Sequence, residues 1–185
     1  MRLFAAIRPP AEVTDHLAGA LAGALGPSWD RSAPISPRLN WHITLAFYGD
    51  VPDAAVPDHQ RPLALGLAAL GPFTLELRGA GVIRRQVGWI GVGGQTAILK
   101  RAMKAAAEAG QALPAQRPEA PRALRPHLTI TRSADKPHIR AALQALAIYQ
   151  GPSWLVTEVE LIASELGRGP GRHALHRPVA AAPLG

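Results

Sequence analysis

Two tetrapeptides, His42–Leu45 and His127–Ile130, alternate polar and apolar residues in the pattern of a β-strand with one face in a core. They read His-Ile-Thr-Leu and His-Leu-Thr-Ile. Because side chains two residues apart on a strand point to the same face, each strand is expected to hold an imidazole and a hydroxyl side by side. The apolar residues between them point the other way and are expected to anchor both strands in a core.

The same alternation, bounded by turn residues, predicts further strands along the chain. The predicted strands are Leu3–Ile7, a first motif strand from near Leu39 to Gly49-Asp50, Phe73–Leu77 running on towards Ile83, Val87–Val92, a second motif strand from His127, Trp154–Ala163 and His173–Val179. Apolar residues spaced three to four apart predict helices. The predicted helices are Ala11–Leu25, Pro62–Leu70, one from Thr96 to about Leu113, and Pro137–Tyr149, which Gly151-Pro152 is expected to end.

This order of strands and helices predicts an α+β fold. His42 and His127 are 85 residues apart, near half of the 185-residue chain, and a helix and then a hairpin-like strand pair follow each motif. We interpret this as an internal duplication within one bilobal domain over residues 1–185. The expected architecture is two pseudo-symmetric lobes of antiparallel sheet with helices outside, one His-x-Thr motif in each lobe and a central cleft between them.

Composition narrows the function classes. The chain has no cysteine, which excludes disulfides, thiolate metal ligands and a cysteine nucleophile, and which fits a reducing compartment. The first apolar run is too short for a signal peptide, and no apolar stretch reaches the ~18 residues that a membrane span needs. We therefore expect a cytoplasmic protein without a membrane partner. The sequence gives no clear oligomer signal, and we expect a monomer.

The net charge is +7, and lysine occurs only at positions 100, 104 and 136, so arginine supplies most of the positive charge. Arginine is the better bidentate partner for phosphate, so the charge favours a phosphate-bearing or nucleic-acid ligand. The alternative is that an arginine- and alanine-rich composition reflects genomic base content and carries no information about ligands.

The remaining histidines carry weaker signals. His173 and His176 have the spacing of a metal pair, but without cysteine or nearby carboxylates we interpret them as a surface strand end. His16, His59 and His138 are expected at ordinary solvated positions. For the two motifs themselves, the alternative to a shared site is a pair of unrelated core histidines.

With both His-x-Thr-x motifs, the chain resembles the two-histidine (2H) phosphoesterases, and among them the bacterial and archaeal RNA 2′,3′-cyclic phosphodiesterases, also called 2′-5′ RNA ligases. Further segments carry the resemblance across nearly the whole chain. They are Met1–Ala6, Phe47–Gly49, Trp89–Val92, Arg125–His127 and Ser164–Leu166. Family members often carry a basic residue after the first motif, where this chain has Ala46, while Arg132 follows the second motif.

The resemblance implies hydrolysis of an RNA or nucleotide 2′,3′-cyclic phosphate to a 2′-phosphate, without a metal or other cofactor. Two imidazoles suit this reaction because one can be neutral and the other charged near neutral pH, although the residues alone do not say which. By resemblance, His42 donates a proton to the leaving oxygen and His127 accepts one from water. Thr44 and Thr129 would hydrogen-bond the phosphate oxygens, with Arg132 or Arg125 neutralising charge.

The implied partners are RNA or tRNA fragments with 2′,3′-cyclic phosphate ends, and the reverse reaction would join such an end to a 5′-hydroxyl as a 2′-5′ ligation. Two other functions remain open at this point. One is a phosphodiesterase for 2′,5′-linked or small cyclic nucleotides. The other is a non-catalytic protein that binds phosphate-ended RNA.

Overall fold

The computed structural model describes residues 1–29, 33–111, 125–169 and 173–185. The strands are β1 (Arg2–Ile7), β2 (Ile43–Asp50), β3 (Phe73–Ile83), β4 (Val87–Gly94), β5 (His127–Thr131), β6 (Gln150–Val156), β7 (Glu158–Glu165) and β8 (Leu175–Pro183). The helices are α1 (Ala11–Leu25), α2 (Val56–Leu67), α3 (Thr96–Gln111) and α4 (Pro137–Ala145). The predicted end of α3 and most of the proline-rich segment before His127 lie outside the described residues.

All eight strands form one curled antiparallel sheet in the order β6-β3-β4-β5-β2-β1-β7-β8. Four strands lie on each side of the contact between β2 and β5, which pair at Ile43 and Leu128. The α+β class is therefore confirmed, and the two motif strands are neighbours at the middle of a continuous sheet. That the two halves arose by duplication stays a prediction.

One face of the sheet packs against the helices. The residues predicted to anchor the motif strands, Ile43, Leu45, Leu128 and Ile130, are all at most 5% exposed and belong to the main core. Apolar residues of α1, α2 and α3 complete this core, among them Leu17, Leu21, Leu63, Leu67 and Leu99. The opposite face, here called the open face, carries a small separate cluster of Phe4, Ala6 and Ile162.

Helix α1 has the predicted bounds, whereas α2 begins earlier than predicted. It starts at Val56, so Pro57 lies in its first turn, where a missing backbone N–H costs nothing. Pro62, the predicted first residue of this helix, lies inside it. Helix α4 ends at Ala145, and a short 3-10 helix continues it over Leu146–Ile148. In the described part of the chain, no helix is long and apolar enough to span a membrane.

The predicted strand Trp154–Ala163 is wrong, because two strands occupy it. They divide at Thr157: β6 is an edge strand paired with β3, and β7 lies between β1 and β8 in the other half of the sheet. The alternation runs through Thr157 without a turn signal, so the local pattern cannot show the change of partner. Gly151 and Pro152 lie in β6, where the edge position tolerates proline.

Three smaller expectations also change. The first motif strand begins at Ile43 rather than near Leu39, because residues Arg38–Asn40 form a 3-10 helix. The last strand covers Leu175–Pro183 rather than His173–Val179. His59, expected at a solvated position, is 2% exposed, and its Nδ1 donates to the Ala55 carbonyl one helical turn earlier at 2.8 Å.

Candidate functional site

The four motif side chains meet where the two halves of the sheet join. Since Ile43 pairs with Leu128 in an antiparallel register, His42 lies opposite Thr129 and Thr44 lies opposite His127. Ile43 and Leu128 point into the core, so these four side chains share the open face. All four are half-buried. The structure thus places the two imidazoles diagonally across a pair of adjacent strands, with one hydroxyl beside each.

The loop that precedes β2 is held firmly on both sides. Trp41, next to His42, is 1% exposed, donates its Nε1 to the Ser36 carbonyl at 3.0 Å, and stacks on Trp29. The backbone N–H of Ser36 donates to the Ile130 carbonyl at 2.7 Å, which ties the loop to β5. The segment carrying His42 is therefore fixed relative to the strand carrying His127.

A backbone carbonyl orients each motif histidine. His42 Nδ1 donates to the Asn40 carbonyl at 2.6 Å, and His127 Nδ1 donates to the Arg125 carbonyl at 2.9 Å. The acceptor is two residues earlier in both cases. Since a carbonyl only accepts, Nδ1 carries the proton in each ring and the neutral form has its lone pair on Nε2. No hydrogen bond from the described residues reaches either Nε2.

The surroundings of His42 favour its neutral form. Burial lowers the pKa of His42 from its ordinary 6.5 to about 4, the Asn40 carbonyl opposes this shift, and His176, Arg8 and His127 lower the pKa further by charge repulsion. At neutral pH the His42 ring is therefore uncharged, with a lone pair on Nε2. Such a group accepts a proton readily.

Strands β4 and β1 complete the surface around the motifs. Trp89 pairs with Thr129 and Gly91 pairs with His127, while Ala6 pairs with Thr44. A Cβ atom at Gly91 would lie 2.6 Å from the Arg78 carbonyl oxygen, so only glycine fits there. The residue beside His127 thus has no side chain, and the Trp89 ring lies 3.2 Å from the position that a Cβ atom at Gly91 would take.

Arg8 is a cation close enough to His42 to lower its pKa, and the sequence did not single it out. Arg8 follows β1 and lies opposite His42, because Ile7 pairs with Ile43. It makes a two-point ion pair with Glu160, with Nε–Oε2 at 2.6 Å and Nη2–Oε1 at 2.9 Å. A usable sequence signal existed, since Arg8 continues the alternation of Phe4 and Ala6 along β1.

The structure does not place Arg132 on the open face with the four motif side chains. It is exposed, and it lies one residue after β5 with the opposite alternation to His127 and Thr129. Within the described residues it has no ion pair or hydrogen bond. Arg125, the other basic residue considered, is exposed and contributes its backbone carbonyl to His127. A phosphate contact by Arg132 stays a prediction.

His176 is the second residue of the site that sequence reasoning missed. It lies at the beginning of β8, as the predicted strand end, but its ring is half-buried and not on the free surface. His176 pairs with Ser164 in β8, is half-buried, and packs its ring against His42 and Phe4. His173 does not join it there, and no three residues suited to hold a metal ion cluster anywhere in the described ranges.

Comparisons with known proteins agree with this geometry. A model of the 2′-5′ RNA ligase superfamily matches residues 9–168. E. coli LigT complexed with 3′-AMP is 28% identical, with 99% of this chain and 97% of that chain covered and a TM-score of 0.73. A structure described as a phosphoesterase is 26% identical, with 99% and 98% covered and a TM-score of 0.72.

TT0787 of Thermus thermophilus, at 23% identity, 100% and 98% coverage and a TM-score of 0.66, supports the fold alone. The comparison with curated proteins found no match. The family model covers most of the chain, and it includes both His-x-Thr motifs and the strands that bring them together. The chain therefore belongs to the 2′-5′ RNA ligase superfamily, a group of phosphoesterases, as the two motifs predicted.

Proposed function

We propose that this protein opens the 2′,3′-cyclic phosphate of RNA ends or nucleotides to a 2′-phosphate by acid–base catalysis between His42 and His127. The observation that carries the proposal is the pairing of β2 with β5, which sets one imidazole and one hydroxyl from each half on the same open face. Opposed imidazoles provide both proton transfers of an in-line displacement on phosphorus.

The reaction needs one proton accepted and one donated. A water oxygen attacks phosphorus and gives its proton to one imidazole, while the bond from phosphorus to the ribose O3′ breaks and the other imidazole protonates that oxygen. Hydrogen bonds from the Thr44 and Thr129 hydroxyls to the non-bridging oxygens would hold the anionic phosphate between the rings. With a 5′-hydroxyl in place of water as the nucleophile, the same steps in the same direction form a 2′-5′ link.

The assignment of donor and acceptor needs its own test. The family resemblance makes His42 the donor, yet burial keeps His42 neutral in the free protein. As donor, His42 must gain a proton when the phosphodiester anion binds, because a nearby negative charge favours the imidazolium form. As acceptor, His42 is already in the required state.

A leaving group that needs no protonation separates these assignments. If His42 is the donor, His42→Ala should hydrolyse a 4-nitrophenyl phosphodiester at close to the wild-type rate while losing activity on a cyclic nucleotide. His127→Ala, lacking the acceptor, should lose both activities. The opposite pattern in the two variants would make His42 the acceptor.

The proposed ligands carry phosphate. E. coli LigT is described in complexes with ATP, 3′-AMP, phosphate and NADP+, all of which bear phosphate groups. A net charge of +7 favours an anionic partner. A cavity of about 400 Å³, lined by Arg8, Arg38, Trp41 and Glu160, adjoins the arginine that lies opposite His42 and offers room for part of a nucleotide. RNA or tRNA fragments with cyclic phosphate ends are anionic, carry a nucleotide and end in phosphate, so they are the proposed partners.

Phosphorus NMR of the product from a cytidine 2′,3′-cyclic phosphate tests the proposal. We expect a single 2′-phosphate signal that forms at the same rate with and without EDTA. Formation of a 3′-phosphate, absence of turnover, or loss of turnover in EDTA would contradict it. Faster cleavage of a 2′,5′-linked dinucleotide in the same assay would favour a different phosphodiesterase, and binding of cyclic-ended RNA without turnover would favour a binding protein.

A further inference from the structure

Three rings contact one another on the open face of the sheet. The ring centroids of His42 and Phe4 are 4.8 Å apart, those of His42 and His176 are 5.1 Å apart, and those of Phe4 and His176 are 5.2 Å apart. His176 meets both neighbours edge to face, at interplanar angles of 70° and 72°. This closed triangle leaves the His42 ring little freedom to turn.

Asn40 links the segment that carries His42 to the segment that leads into β8. Its carbonyl accepts the hydrogen bond from His42 Nδ1. Its side-chain Nδ2 donates to the Ala174 carbonyl at 2.7 Å, just before β8 begins. The position of His176 over His42 is therefore fixed by a polar contact between the two segments and not by ring packing alone.

We propose that His176 is a positioning residue of the candidate site, which holds the His42 imidazole against the Asn40 carbonyl so that Nε2 faces the substrate. The inference rests on the proposed function of His42. His176 itself touches no reacting atom. Its Nδ1 is buried without a hydrogen-bond partner among the described residues.

The groups that face His42 determine how the contact with His176 affects the pKa of His42. Arg8 faces it from β1 with Glu160 of β7 bound to the arginine, His127 faces it from β5, and His176 faces it from β8. His176 shields His42 from water, which favours the neutral form of His42, and burial lowers the pKa of His176 as well. Removal of the His176 ring should therefore raise the pKa of His42 towards its ordinary value.

Three variants test the inference. His176→Ala removes the ring, His176→Phe keeps a ring of similar size in the triangle, and His173→Ala is the matched control, since His173 lies three residues earlier and makes no contact with His42. We expect His176→Ala to lower kcat on cytidine 2′,3′-cyclic phosphate about ten-fold or more, because small misplacements of a reacting group are costly, with KM changed less. His176→Phe should recover most of kcat.

The pH dependence of kcat/KM and the NMR titration of His42 distinguish positioning from a merely structural role, which would leave both unchanged. In His176→Ala the acid limb of kcat/KM should shift to higher pH, whereas His176→Phe and His173→Ala should keep the wild-type limb. Titration of the His42 imidazole by 1H–15N NMR in the free protein should likewise give a higher pKa in His176→Ala and the wild-type pKa in His176→Phe and His173→Ala. Since this titration needs no substrate, it tests the positioning even if the wild-type protein fails to open cyclic phosphates.

Two results would overturn the inference. One is a His176→Ala protein whose kcat, acid limb and His42 titration all match the wild type. The other is a loss of activity in His176→Ala that is explained by unfolding alone, with the melting temperature lowered in proportion and the His42 titration unchanged. Recovery by His176→Phe together with a shifted titration in His176→Ala would support it.

Discussion

At the scale of single residues, the same backbone hydrogen bond orients both motif histidines. His42 and His127 each donate Nδ1 to the carbonyl of the residue two positions earlier, so both rings have the same tautomer without help from a carboxylate. The two sites differ in burial, since His42 packs between Phe4 and His176. Burial in this packing is the main cause of the low pKa of His42.

The burial of His42 predicts a pH-dependent stability. The pKa of His42 is about 4 in the folded protein and near 6.5 in the unfolded chain, so only the unfolded chain takes up a proton between these values. This contribution to the free energy of unfolding is complete above pH 6.5 and is lost as the pH falls towards 4. Between pH 7 and 4.5, His42→Gln should lose less stability than the wild type, by about 2 kcal/mol.

Urea unfolding at both pH values measures this difference. His173→Gln serves as the control and should retain the pH dependence of the wild type. Identical pH dependence in the wild type and His42→Gln would show that His42 is not held neutral by burial.

Two threonines on β5 allow a matched comparison of function with stability. Thr129 is half-buried on the open face, whereas Thr131 is 0% exposed and its Oγ1 donates to the Pro34 carbonyl at 2.5 Å. Thr129→Val should lower kcat/KM about ten- to a hundred-fold with little change in the free energy of unfolding, since the proposed phosphate contact is lost. Thr131→Val should cost about 1–3 kcal/mol, because a buried carbonyl loses its partner.

Cyclic phosphate turnover and urea unfolding of both variants decide this comparison. Equal losses of activity in the two valine variants would remove Thr129 from the phosphate site.

At the scale of elements, the motif strands were predictable and their partners were not. The alternation in His42–Leu45 and His127–Ile130 correctly assigned the buried and half-buried faces, because that assignment depends on residues two apart. The split of Trp154–Ala163 into β6 and β7 depends on pairing with β3 and β1, which are far away in the sequence. Local patterns carry no information about such partners.

The strand pair β3–β4 provides a prediction at this scale. A Cβ atom at Gly91 would meet the Arg78 carbonyl oxygen at 2.6 Å, so Gly91→Ala must move β3 away from β4. We expect a loss of about 1–3 kcal/mol in the free energy of unfolding, with lower activity because β4 also pairs with β5 at His127.

Gly23→Ala in α1 is the control for this variant. No atom lies within 4 Å of the added methyl group there, and the helix should gain about 0.5–1 kcal/mol. If Gly91→Ala were as stable as the wild type, the close contact between β3 and β4 would be wrong.

At the scale of the whole molecule, the sheet order explains which site residues the sequence could reveal. His42, Thr44, His127 and Thr129 come from strands that meet at the centre, and their two-fold repetition in the sequence made them visible. Arg8 and His176 reach the same place only because β1, β7 and β8 follow β2 in the sheet. Their proximity to His42 arises from long-range pairing. The alternation with Phe4 and Ala6 indicates the face on which Arg8 lies, but no local pattern indicates which strands lie beside it or beside His176.

The most direct test of the account is the initial rate at which His42→Ala and His127→Ala open cytidine 2′,3′-cyclic phosphate, measured beside the wild type at one pH. If the two imidazoles perform the proton transfers, each variant should be slower by about 10²–10⁴ while its circular dichroism spectrum remains that of a folded protein. A variant that stays folded and turns over the substrate at close to the wild-type rate would contradict the two-histidine mechanism.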